Sequence, residues 1–86
     1  MFDSRIRLGI MSILSVNDEV DFNTMKELLE LTDGNLASHL KALENGAYIQ
    51  TIKQFIGRKP NTKYRITEFG KHDFKEHLNA LEKFIL

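Results

Sequence analysis

Near the start of the chain, Ile6, Ile10, Ile13 and Leu14 recur at i, i+4, i+7 and i+8, the spacing that lines one face of an α-helix. The pattern predicts a helix over residues 4–15, with Asp3 or Ser4 as its cap. Phe2, Leu8 and Met11 lie off that stripe and give the helix a second apolar side, which is assigned to contact with a second subunit. Gly9 costs about 1 kcal/mol relative to alanine in mid-helix, a cost that the close approach of another backbone would offset. The stretch "SVNDEVDF" breaks the period, and Val20 with Phe22 alternate like a very short edge strand. A second helix is predicted over about 24–30, capped by Asn23 or Thr24, with Met25, Leu28 and Leu29 facing inward. After the turn "LTDGN", Thr32 caps a third helix over about 33–45, and Asp33 suits the positive end of its dipole. Leu36, Leu40 and Leu43 form its inner stripe, and Gly46 is placed as the left-handed residue that ends it.

The periodicity then switches to that of strands. "YIQTIKQFI" is rich in β-branched and aromatic residues, and "TKYRI" sets Tyr64 and Ile66 on one face and Lys63 and Arg65 on the other. These segments read as a hairpin. Pro60 holds Lys59 extended, so the connection from Gly57 to Asn61 is expected to exceed a tight two-residue turn. Thr67 caps a last helix over about 68–84, in which Phe74, Leu78, Leu81 and Ile85 follow a heptad-like spacing. Phe69, Ala80 and Phe84 widen that seam beyond one packing stripe, and a second subunit is expected to cover part of it. The predicted order is α1-β1-α2-α3-β2-β3-α4, a mainly helical α+β domain.

The 86 residues amount to one small domain, residues 1–86, with roughly 60% of the unfolded surface buried, so a partner subunit would add stability. Cysteine is absent, which removes disulfides, thiolate metal sites and cysteine nucleophiles. No apolar run approaches the length that spans a bilayer, and "MFDSRIRLGI" lacks the apolar core of a signal peptide, so no membrane association is expected and the cytoplasm is the expected location. Net charge is zero, yet the charges are segregated. Residues 17–34 hold six acids against Lys26 alone, and residues 35–65 hold six cations against Glu44 alone. A field so polarised can orient the molecule toward a polyanion.

Two short helices joined by a tight turn and followed by a hairpin with a basic tip have the layout of a winged helix-turn-helix. "NLASHLKALENGAYI" resembles the recognition helix and exit of MarR- and ArsR-type transcriptional regulators, and "GRKPNTKYRITEFG" resembles their wing running into the next helix. The likeness extends over essentially the whole chain. It implies a homodimer that binds double-stranded DNA, with helices 1 and 4 forming much of the dimer interface and no cofactor; no small-molecule effector is assigned.

The residues themselves lead the same way. If Leu36, Leu40 and Leu43 face the core, Asn35, Ser38, His39 and Ala42 occupy the opposite side of the third helix, where small and polar side chains suit base edges in a major groove. Gly34 leaves room for a phosphate, and Asn23, Thr24 and Thr32 stand at helix starts where backbone contacts are made. Arg58 and Lys59 at the tip, Lys63 and Arg65 on the outward strand face, and Lys41 and Lys53 nearby are assigned to phosphates or a minor groove, with the wing spanning about 55–65. The acidic segment is expected to lie away from those contacts.

Three other classes are distinguishable. Catalysis lacks support, because His39, His72 and His77 accompany no nucleophile elbow and "GRKPNT" lacks the spacing of a phosphate loop. A metal-responsive regulator would use "HDFKEH", which pairs His72 with Glu76 and Asp73 with His77 at i, i+4, two ligands per chain combining in a dimer. A winged helix serving only as a protein-interaction module would show no salt-sensitive DNA binding.

Overall fold

The computed structural model describes residues 4–85. Its elements are α1 (Arg5–Ser15), β1 (Val20–Asp21), α2 (Phe22–Leu29), α3 (Asp33–Asn45), β2 (Ile49–Ile56), β3 (Lys59–Ile66) and α4 (Glu68–Ile85), in the predicted order. The three strands form one antiparallel sheet in the order β1-β3-β2, with Val20 opposite Tyr64 on one side and Thr51 opposite Tyr64 on the other.

A single core joins these elements. Ile10, Met11 and Leu14 of α1 meet Met25 of α2, Leu36, Leu40 and Leu43 of α3, Val20, Ile49 and Tyr64 of the sheet, and Phe74 of α4. Two residues assigned to a subunit interface therefore belong elsewhere. Met11 is wholly buried and Phe74 nearly so, because α1 turns more than one stripe toward the other helices and the sheet, and α4 lays its first turns across the domain. Leu8 is half-buried against the same core, and Phe2 and Asp3 lie outside the described residues. Leu28, expected to face inward, is 62% exposed, since the packed side of the eight-residue α2 is taken by Phe22, Met25 and Leu29.

Local chemistry explains the boundaries. Helix α2 starts two residues earlier than predicted because Asp21, not Asn23 or Thr24, is its cap: the Asp21 carboxylate accepts from Thr24 N–H at 2.8 Å. Thr32 caps α3 by accepting from Asn35 N–H at 3.2 Å, and Thr67 caps α4 by accepting from Gly70 N–H at 2.9 Å. Gly46 ends α3 with φ −82°, and Ala47 at φ 64° takes the left-handed position assigned to the glycine. The neighbour of Gly9 is also different from the one expected, a side chain and not a backbone: an added Cβ would stand 2.9 Å from Leu29 Cδ2.

Gly70 has a stricter reason. A Cβ there would overlap the Tyr48 carbonyl, which already accepts from Thr67 N–H and Thr67 Oγ1, each at 3.1 Å. This knot of Thr67, Gly70 and Tyr48 seats the root of α4 against the start of the hairpin, helped by the tilted Tyr48–Phe69 ring pair at 5.1 Å. Beyond Phe74 no described residue of α4 is buried.

The hairpin turn is tighter than its proline suggested. Ile56 pairs with Lys59, leaving only Gly57 and Arg58 in the loop, and Gly57 takes φ +66°. Pro60 sits inside β3 opposite Phe55, where its missing N–H is tolerated because β1 reaches only Tyr64 and Lys63 and leaves that outer edge unpaired.

Candidate nucleic-acid interface

Helix α3 is positioned by three inward leucines and by the turn that precedes it. Lys26 on α2 reaches Asp33 in the first turn of α3 at 2.7 Å, both ends solvent-exposed in part. One acid of the segment expected to lie remote from DNA thus stands at the start of α3, with a lysine beside it.

Of the four assigned base-readers, Asn35 and Ser38 are exposed, whereas His39 and Ala42 are half-buried. The physical reason is the angular position of His39 beside α1: Arg7 Nε donates to His39 Nδ1 at 3.1 Å. That bond makes Nδ1 the acceptor, so the neutral ring carries its proton on Nε2. Arg7 had no local signal, because the two residues are 32 positions apart. The opposite flank of α3 exposes Ala37 and Lys41 along a groove of about 280 Å³ shared with Thr51, Lys53 and Thr62 of the sheet. The same groove contains Glu44, hydrogen-bonded by the Thr51 hydroxyl, and the Tyr64 ring, whose hydroxyl pKa is raised by burial and secondarily by Glu44.

At the helix starts, Asn23, Thr24, Thr32 and Gly34 are all exposed, and nothing occupies the space a Gly34 Cβ would take. The Thr24 and Asn35 amides are committed to the caps, and the Thr32 and Thr24 hydroxyls take part in them as well, which leaves the Asn23 side chain and the other first-turn amides to contact a phosphate.

The register of the hairpin sorts its cations into two groups. Residues 51, 53 and 55 share a face with 60, 62 and 64, the face that carries Tyr64 into the core and borders α3. Lys53 is on that side, across the groove from Lys41. Lys59, Lys63 and Arg65 alternate onto the reverse face, where Arg65 Nε donates to Gln50 Oε1 at 2.9 Å. The expected single patch of six cations is therefore two patches joined at the tip by Arg58. Lys63 is opposite Asp21 in the ladder, and the Asp21 carboxyl is held below its ordinary pKa chiefly by hydrogen bonds from Thr24 and to a lesser extent by the Lys63 charge.

No three His, Asp or Glu side chains among the described residues come together to hold a metal ion. On α4, His72 and Glu76 are exposed and Asp73 and His77 half-buried. No described helix is long and apolar enough to cross a membrane.

A capped helix, a three-residue turn, a second helix with a polar outer side and a hairpin flanking it define a winged helix-turn-helix. Residues 6–85 match the winged helix DNA-binding domain family, and the chain belongs to it. It is 38% identical over 78 residues to an uncharacterized protein of Methanocaldococcus jannaschii, covering 91% of this chain and 85% of that one. Among solved structures it resembles a transcriptional regulator homologue from Pyrococcus horikoshii OT3, at 36% identity and a TM-score of 0.90, covering 98% of this chain and 83% of that chain. It shares its fold with Bacillus subtilis PadR, solved in complex with operator DNA, at 16% identity and a TM-score of 0.77, covering 91% of this chain and 48% of that chain. The expected MarR- and ArsR-like character stands at the level of this winged-helix regulator fold.

Proposed function

We propose that the protein is a homodimeric transcriptional regulator that binds double-stranded DNA with α3 in the major groove and the wing on the flanking backbone. The observation that carries this reading is the outer side of α3: Asn35, Ser38 and Lys41 are exposed opposite the buried leucines, beside a hairpin that holds five cations and no acid over residues 53–65. Family membership and the fold shared with a regulator solved on operator DNA support it. Asn35 and Ser38 are the exposed base-readers, with Ala42 half-buried between them and His39 turned toward Arg7 of α1. Lys41, Lys53 and Arg58 take phosphates on the α3 side, Lys59, Lys63 and Arg65 serve the reverse face, and Asn23, Thr24, Thr32 and Gly34 line the approach of the backbone.

The dimer is assigned to the far half of α4, where Leu78, Leu81, Phe84 and Ile85 are exposed, with Leu8 of α1 at its margin. No catalytic role, cofactor or metal is included, and the cytoplasm is the proposed location. Fluorescence anisotropy of a labelled duplex, measured across salt concentrations with the mass in solution recorded alongside, tests the reading. A dimer whose log affinity falls with log salt by about 0.9 per phosphate contacted is expected. A monomer, or a protein that binds no duplex at low ionic strength, would refute it. Within the interface, Asn35→Ala and Ser38→Ala should change preference among duplexes by about 1–3 kcal/mol.

A further inference from the structure

The wing tip has an apolar character that phosphate binding leaves unused. Phe55 is 75% exposed and Ile56 60% exposed, immediately before the two-residue loop. Phe55 faces its cross-strand partner Pro60, and the two form an apolar plate on the sheet face that borders α3. Ile56 lies on the reverse face beside Lys59, and Arg58 stands at the apex. Gly57 has φ +66° while Arg58 is not among the described residues of positive φ, the sign pattern of a type II′ turn, whose twist matches that of the strands and gives a narrow, well-directed tip.

Two aromatic or branched side chains do not gain from water at such a place, so the tip is built to be covered. Charge decides by what. Lys53 shares the face of the plate, Arg58 stands at the apex, and Lys59, Lys63 and Arg65 lie on the reverse face of the same hairpin, with no acid between residues 53 and 65. A second copy docking through the same patch would set these cations against their own equivalents. A polyanion has the complementary charge, and one groove of duplex DNA accepts apolar side chains: Phe, Ile and Pro inserted from the minor groove part adjacent base pairs and kink the helix.

We propose that the wing tip is a minor-groove wedge, in which Phe55 backed by Pro60 inserts between two base pairs flanking the site read by α3, while Lys53, Arg58 and Lys59 hold the phosphates on either side. Phe55 is chosen over Ile56 because it shares the sheet face that borders α3, and therefore faces the same duplex. The wedge gives the protein sensitivity to steps that unstack readily, such as TA and CA/TG, at positions where it makes no base hydrogen bond. This inference rests on the DNA-binding reading above.

The test uses the full chain and the duplex that the wild-type protein enriches from a random pool, with 2-aminopurine moved one position at a time through both flanks and a donor–acceptor pair on the ends. Wild type should raise 2-aminopurine fluorescence at one step in each flank and shorten the end-to-end distance. Phe55→Ala should abolish both signals and weaken binding about tenfold or more, with the slope of log affinity against log salt unchanged and thermal melting of the free protein preserved. Arg58→Ala should do the converse, lowering that slope by about one per contact while keeping the fluorescence signal. A wild type that binds the duplex without unstacking any step, or a Phe55→Ala variant that binds and kinks as wild type does, overturns the wedge and leaves the regulator reading intact. If Phe55→Ala alters the mass in solution and not the duplex, the tip is a protein contact and the wedge is wrong. A wild-type protein that enriches no duplex overturns both.

Discussion

The two projecting parts of the molecule, the wing tip and the far half of α4, both expose large apolar side chains and differ in the charges around them. At the tip, Phe55 and Ile56 stand among five cations and no acid over residues 53–65. On α4, Leu78, Leu81, Phe84 and Ile85 accompany Lys75, Glu76, Glu82 and Lys83, two of each sign. Apolar exposure alone says that a surface is meant to be covered. The accompanying charge says by what: a surface of one sign repels its own copy and attracts a polyanion, whereas a balanced surface tolerates self-association across a two-fold axis. Their roots differ as well. The wing grows from a sheet whose Ile49 and Tyr64 are buried in the core, and α4 is held by the contact of Gly70 with Tyr48 and by Phe74.

The largest expected effect breaks that second root. Gly70→Ala places a methyl group on the Tyr48 carbonyl, which cannot retreat without losing its hydrogen bond from Thr67 N–H. A destabilisation of about 3 kcal/mol is expected, which in a domain this small lowers the melting temperature by roughly 15 °C. An unaltered melt would show that α4 is not anchored there. Next, Leu81→Glu leaves the core untouched and sets a carboxylate on the balanced surface. It should raise the dimer dissociation constant by about 30-fold, about 2 kcal/mol, in sedimentation experiments, with the monomer's circular dichroism preserved. Were the mass unchanged, the self-association surface would have to lie elsewhere.

Smaller still is the effect of removing one charge from the single-sign surface. Arg58→Ala should weaken binding to every duplex by about 1–2 kcal/mol without altering preference among them, because a phosphate contact positions and does not read. Anisotropy titrations on several unrelated duplexes check this. A change confined to one sequence would mean that Arg58 reads a base edge, and the tip would then be a specificity element in its own right.

What was legible in the sequence follows from which interactions are local. The element order, the Thr32 and Thr67 caps and the Leu36–Leu40–Leu43 stripe depend on residues within one or two turns, and they were readable. The alternation that separates Tyr64 from Lys63 and Arg65 was also readable, but not which face α3 would border, since that is decided by packing across the domain. Pro60 misled because the tolerance of β3 for a proline depends on how short β1 is, a fact of tertiary pairing. Met11 and Phe74 were assigned outward because a single stripe was assumed, while the small core draws on Leu8 and Met11 of α1 as well as on the Ile6–Ile10–Ile13–Leu14 stripe. On the outer side of α3, the exposure of Asn35 and Ser38 followed from angle alone, and the half-burial of His39 did not, because its surroundings include Arg7 from another helix.

The smallest prediction concerns the joint between the two-helix body and the wing. Asp21 both caps α2 and pairs in the ladder opposite Lys63, so it ties the helix-turn-helix to the base of the hairpin. Asp21→Ala should cost about 1 kcal/mol of stability at neutral pH, measured by urea denaturation. The carboxyl pKa is lower in the folded protein than in the unfolded chain, so the carboxylate's contribution is fully present above the unfolded value of about 3.9 and is lost as pH falls through the folded one. The difference between wild type and Asp21→Ala should accordingly be constant from pH 7 to about pH 5 and shrink below about pH 4. Asp21→Asn separates the two causes: it retains a side-chain acceptor for Thr24 N–H and removes the attraction to Lys63. If Asp21→Asn matched wild type at neutral pH, the hydrogen bond alone would account for the joint. If it fell as far as Asp21→Ala, the charge would be the principal link between the base of the wing and α2.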